Sequence, residues 1–198
     1  WAGRVTRAVI ANAPHPGIFQ RLLATDEGQR AASQYMTMLV QPDAAAQLAA
    51  NDFERLLGFL DGHDSELPSL TQPPGSDAPE PARWLTPELK ERYRQVWRHG
   101  LQGGLNYYRA SPLRPPTATD PGASAVQIPP EAMRITVPTL VLWAQNDVAL
   151  LPCLTEGLND HINDLKLVPI EHATHWVVHE QTARVIGEIQ AFLTPTPS

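Results

Sequence analysis

Two residues of this 198-residue chain have the type and placement for acid–base chemistry, Asp147 and His175. Each follows a short apolar run with the look of a core strand, so both are expected at the carboxyl edge of one sheet. There a carboxylate can orient an imidazole that acts as general base. The same residues also read more plainly, the aspartate as a helix N-cap and the histidine as a surface residue. An acid followed by a histidine calls for a nucleophile upstream, on a Gly-x-(Ser/Asp/Cys)-x-Gly strand-to-helix turn whose glycines permit a strained, exposed side chain. None of the glycines supplies that turn: Gly58 and Gly62 have the spacing but enclose Leu60, and Gly62-His-Asp64 has no second glycine and no strand before it. His99-Gly100 ends an amphipathic stretch and reads as a helix C-terminus. His172, His175 and His179, at spacings of three and four, would share a face if helical, but they follow a strand directly and no second ligand cluster exists, so no metal is expected.

The elements that must position these residues follow from pattern. Val5 to Asn12, Thr139 to Ala144 and Leu165 to Ile170 are short runs rich in aliphatic residues and read as buried strands. The first is closed by the breaker Pro14 to Gly17, read as loop. Leu151 to Leu158 reads as a helix, and Gln181 to Leu193 carries Val185, Ile186, Ile189, Phe192 and Leu193 at helical period. Thr86 to Trp97 opens with an N-cap threonine and Pro87 at the first helical position, with Leu89, Tyr93, Val96 and Trp97 on one face. Further helices are expected over Arg30 to Leu39, Asp43 to Leu60 with a break near Asn51, and Leu105 to Ala110. Asp61 to Arg83 and Ser111 to Ile135 read as loops. The fold class is therefore α/β, a parallel sheet flanked by helices, with core segments at 1–29 and 135–198 and an inserted helical cap at 30–134.

Composition limits the partners. With 15 Lys+Arg against 21 Asp+Glu, a net charge of −6 and no basic cluster, a phosphate-tracking groove and hence nucleic acid are not expected. No apolar run has the length of a membrane span. The single Cys153 has no disulfide partner or zinc companions, which suits a reducing, cytoplasmic setting.

Four motifs in register resemble the epoxide hydrolase and haloalkane dehalogenase branch of the α/β-hydrolase superfamily: Ile10 to Pro16 (IANAPHP), Gly104 to Arg109 (GLNYYR), Val137 to Trp143 with Asn146-Asp147, and Ala173 to Trp176 with His179-Glu180. The resemblance covers nearly the whole chain. It implies an α/β-hydrolase core with a helical cap, Asp147 as charge-relay acid, His175 as water-activating base, and no cofactor. Tyr35 and Tyr108 match the two cap tyrosines that hold an epoxide oxygen, whereas dehalogenases use donors such as indole N–H groups for halide. Without the resemblance, both tyrosines read first as residues filling a core edge, the role expected of Tyr107. Met36, Met38, Val148, Leu150, Trp176 and Val177 suit a hydrophobic substrate pocket, or simple core.

In that family the nucleophilic aspartate lies shortly before the strand that begins here at Val5, and the oxyanion His-Gly lies further upstream. Both would fall before Trp1. The chain is thus expected to be the C-terminal part of an enzyme that opens a hydrophobic epoxide to a vicinal diol through an alkyl-enzyme ester, inactive alone, with the N-terminal part as its partner. An unpaired edge beside Val5 to Asn12 would then make it aggregation-prone or molten. The alternatives are a non-catalytic binding module, a haloalkane or haloacid dehalogenase, or a serine esterase.

Overall fold

The computed structural model describes residues 3–61 and 84–194; the Gly62-His-Asp64 triplet and nearly all of the expected Asp61 to Arg83 loop lie outside them. Three strands, β1 (Ala8–Ala11), β2 (Thr139–Ala144) and β3 (Leu165–Ile170), form a parallel sheet in that order. The register aligns Ile10 with Val141 and Val141 with Leu167. β2 is buried along its whole length because it is central and covered on both faces, which is why it reads as an unbroken apolar run. The paired part of the first strand is shorter than Val5 to Asn12: pairing begins at Ala8, whose N–H donates to the Pro138 carbonyl at 3.0 Å.

One sheet face carries Val141 and Trp143 into a core with α1 (Pro16–Thr25), α3 (Tyr35–Leu39), α4 (Ala44–Asp61) and α6 (Gln102–Ala110), while α2 (Glu27–Ala32) packs on α1 and α5 (Pro87–Trp97) on α4. The opposite face packs Leu140, Leu142 and Val168 on α7 (Val177–Glu180) and α8 (Thr182–Leu193). Buried aliphatic side chains contribute about 1.5–3 kcal/mol each, so both faces are strongly specified.

Several expectations are corrected. Pro14 to Gly17 is not wholly loop, because Pro16 is the first residue of α1, where a missing N–H costs nothing. Arg30 to Leu39 is two helices separated at Ser33-Gln34, the first capped by the Asp26 side chain, which accepts the Gln29 N–H at 2.6 Å. Leu151 to Leu158 is no α-helix: 3₁₀ turns at Pro152–Thr155 and Leu158–Asp160 are separated by Gly157 at φ 84°, a left-handed conformation that ends the first. In α5, Val96 is 65% exposed and lies off the half-buried face that carries Leu89, Tyr93 and Trp97. The break near Asn51 is present: Asn51, Asp52 and Phe53 all have positive φ inside α4.

Two buried polar groups tie the layers together. Gln29, fully buried, donates to the Ala149 carbonyl at 2.8 Å and to Ser33 Oγ at 2.9 Å, and its Oε1 accepts the Leu151 N–H at 2.9 Å. It thereby fastens α2 to the loop that follows β2. His15 stacks on His161 with ring centroids 4.1 Å apart, and its Nε2–H donates to the Met133 carbonyl at 2.7 Å. Burial pushes the His15 imidazole below its ordinary value of 6.5; the Met133 hydrogen bond opposes this and His161 adds to it.

Two outcomes follow. Gln29→Leu leaves two buried backbone groups unpaired at about 1–3 kcal/mol each, so the thermal midpoint should fall by several degrees; an unchanged midpoint would refute the tie. A histidine with a depressed folded pKa adds stability that is complete above its unfolded value and is lost as pH falls through the window below 6.5. Unfolding free energy should therefore decline over that window, and His15→Gln should flatten the decline; an identical slope in the variant would contradict this origin.

Candidate active site

β2 and β3 end side by side, so the loops that follow them meet at one edge of the sheet. Asp147, in the first of these loops, is 2% exposed. Its Oδ1 accepts the N–H groups of Ala149 and Leu150, both at 2.9 Å, a local turn that fixes the carboxylate on its own loop. Its Oδ2 accepts His175 Nδ1–H at 2.9 Å and Asn12 Nδ2–H at 3.0 Å. His175, 25% exposed at its side chain, thereby leaves Nε2 for the cavity that it lines. The loop bearing it turns at His172, with φ 55°. It is held by Glu180 of α7, which accepts the Thr174 N–H at 2.7 Å and the Thr174 hydroxyl at 2.6 Å.

The three histidines part company. His175 faces Asp147, His179 stacks on Trp84 with centroids 4.5 Å apart, and His172 lies in the turn. Among the described residues no three His, Cys, Asp or Glu side chains gather where they would hold a metal.

Above the acid–base pair, a cavity of about 510 Å³ is bounded by Tyr35, Met36 and Phe19 on one side, Tyr108, Leu113 and Arg114 on another, and Asn12, Leu150 and His175 below. Tyr35 begins α3 and is 7% exposed, packed on Phe59. Tyr108 sits on α6, which buries Leu105 and is pinned by Arg109 donating to the Gln41 carbonyl at 2.7 Å. The two phenol rings meet edge to face, centroids 6.3 Å apart. Burial pushes both hydroxyls above the ordinary tyrosine value; Tyr108 and the Asp147 carboxylate add to it for Tyr35, and Tyr107 adds to it for Tyr108. An ordinary phenol is already protonated at neutral pH, and burial reinforces that state, so both can donate hydrogen bonds. An imidazole oriented by a carboxylate can activate water, and two phenols can hold an oxygen on which negative charge develops.

Of the six expected pocket residues, Met36 and Leu150 line this cavity. Val177 lies instead in the core on the opposite sheet face, Trp176 packs against Trp84, Met38 against the first core, and Val148 lies outside the lining. Tyr107 fills no core edge; it is 77% exposed at the cavity rim. Sequence reasoning missed Asn12 and Glu180 as site residues, although both stand in motifs already singled out. It missed the rim as well, where Arg114 Nε is bonded to Asp120 at 2.7 Å.

Among the described residues no helix is long and apolar enough to cross a membrane. No family model matches the sequence. An AB hydrolase superfamily protein of Bacillus subtilis, YfhM, is 27% identical over 193 residues, covering 94% of this chain and 57% of that protein. Human epoxide hydrolase 4 is 24% identical over 193 residues, covering 96% and 47%. Among solved structures, an epoxide hydrolase from hot-environment metagenomes superposes with a TM-score of 0.71 at 36% identity, over 98% of this chain and 60% of that one. The Bacillus megaterium epoxide hydrolase in complex with an inhibitor gives 0.76 at 21%, over 96% and 61%. The chain spans about half the length of the curated relatives it matches. These likenesses place the chain in the α/β-hydrolase superfamily, with epoxide hydrolases among its homologues.

Proposed function

We propose that this chain supplies the cap and the acid–base half of an epoxide hydrolase acting on hydrophobic epoxides. The observation that carries this reading is the shared cavity: Tyr35, Tyr108 and His175 line one space, walled by Phe19, Met36, Leu113 and Leu150. Apolar walls with a few convergent polar groups suit a small hydrophobic ligand bearing one reactive oxygen.

The chemistry takes two steps. A carboxylate attacks an epoxide carbon, the carbon–oxygen bond breaks, and the ring oxygen takes a proton from a tyrosine hydroxyl while the second phenol holds it by hydrogen bond. The product is a hydroxyalkyl ester. His175, oriented by Asp147, then takes a proton from water, and the resulting hydroxide attacks the ester carbonyl. The diol leaves with the carboxylate restored, and the proton held by His175 returns to the tyrosinate, regenerating imidazole and phenol. Asp147 is committed to His175, to Asn12 and to its own loop, and among the described residues the cavity lining includes no carboxylate. The nucleophile in this reading is an aspartate from outside the residues described.

A dehalogenase reading is less well supported, because the described lining holds phenols and no indole that could donate to a halide. The binding-module alternative shares the cavity and differs only in whether turnover occurs.

Two outcomes are expected. In an active epoxide hydrolase carrying this chain, Tyr35→Phe and Tyr108→Phe should each lower kcat for an aryl glycidyl ether by about 10²-fold, the size of one lost donor to a developing oxyanion. Retained turnover in both would reject the role given to the phenols. The 198-residue chain alone should bind the matching vicinal diol saturably by NMR titration and form no diol from the epoxide. Turnover by the chain alone would overturn the external nucleophile.

A further inference from the structure

Asn12 ends β1, the strand farthest from the loop that carries His175. Its side chain nevertheless reaches the ends of both other strands. Oδ1 accepts the Ala144 N–H at 2.9 Å, while Nδ2 donates to Asp147 Oδ2 at 3.0 Å and to the Thr174 carbonyl at 3.2 Å. The residue is 8% exposed, and its backbone is left-handed at φ 41°, a conformation that asparagine tolerates better than most residues. Both amide hydrogens and the amide oxygen are thus used, so the amide has one orientation.

The consequences reach the imidazole by two routes. Asn12 and His175 share one carboxylate oxygen, so the amide fixes where Oδ2 sits and hence where the Nδ1–H must point. The bond to the Thr174 carbonyl fixes the peptide that leads into His175 itself. Acid and base are therefore held by one rigid group that belongs to neither loop. Second partners of this kind set the tautomer and the aim of a functional imidazole.

We propose that Asn12 is a positioning residue for the acid–base pair: its amide clamps the Asp147 carboxylate to the Thr174 carbonyl, holding His175 in the Nδ1–H tautomer with Nε2 free for the cavity. The proposal rests on the reading of Asp147 and His175 as the acid and base, but its test needs no epoxide turnover, so the two can fail separately.

The test is ¹⁵N NMR of the histidine-labelled chain at mildly alkaline pH, with His175 assigned by its loss in His175→Gln. Asn12→Gly removes the amide while keeping a positive φ unstrained. The variant should unfold cooperatively and shift the His175 tautomer ratio toward Nε2–H by about tenfold, the effect of losing one hydrogen bond to a charged group. An unchanged ratio in the folded variant would overturn the proposal. If Asn12→Gly gives no cooperative transition, Asn12→Ala decides, because it removes both amide donors, adds no charge beside Asp147 and restrains the backbone more than glycine does. A displaced His175 Nδ1–H resonance supports the clamp, and an unchanged one overturns it. A role confined to joining β1 to β2 would leave that resonance where it was.

Discussion

A single buried carboxylate organises this molecule's functional edge. Asp147 is almost wholly removed from water, and burying an unpartnered charge is prohibitive, so its surroundings must supply donors. Four arrive: two backbone N–H groups from its own loop, one amide N–H from the end of β1, and one imidazole N–H from the loop after β3. Each comes from a segment that the parallel sheet delivers to the same edge. Sheet order, loop conformation and side-chain choice at Asn12 and His175 are therefore one constraint expressed at several places.

The helical layer answers to a second constraint, that two phenols face the imidazole from above. α3 and α6 present Tyr35 and Tyr108 edge to face, and anchors away from the cavity hold them there: Leu105 in the core and Arg109 on the Gln41 carbonyl. Gln29 links this layer to the acid's loop through two hydrogen bonds, so the roof and floor of the cavity share a buried polar fastener. The phenols are protonated at neutral pH at their ordinary value and burial reinforces this, which suits donors to a developing alkoxide.

Much of this was legible from residue types and spacing. The strand runs around β2 and β3 stand out because buried parallel strands are continuously apolar, and α5 announces itself through Thr86 and Pro87. Asp147 and His175 are recognisable as residues that follow such runs. Other features depend on side chains reaching across sequence distance. Asn12 contacts a loop more than 160 positions away, and nothing in its local pattern encodes that reach. Neighbours of site residues misled for the opposite reason: Val177, two positions from His175, packs in the core on the opposite sheet face, Trp176 packs on Trp84 outside the cavity lining, and Tyr107 stands exposed at the rim where Tyr108 is half-buried. The interruption at Ser33 within the expected Arg30 to Leu39 helix, and the 3₁₀ turns around Gly157, are tertiary choices that periodicity alone does not show.

The most direct test of the account is a crystal structure of the chain with a vicinal diol bound. The account predicts one diol oxygen between the Tyr35 and Tyr108 hydroxyls, the diol carbons against Phe19, Met36 and Leu150, and His175 Nε2 facing the ligand with Nδ1 still on Asp147. A diol seated elsewhere, with the two phenols apart or His175 turned off Asp147, would contradict it.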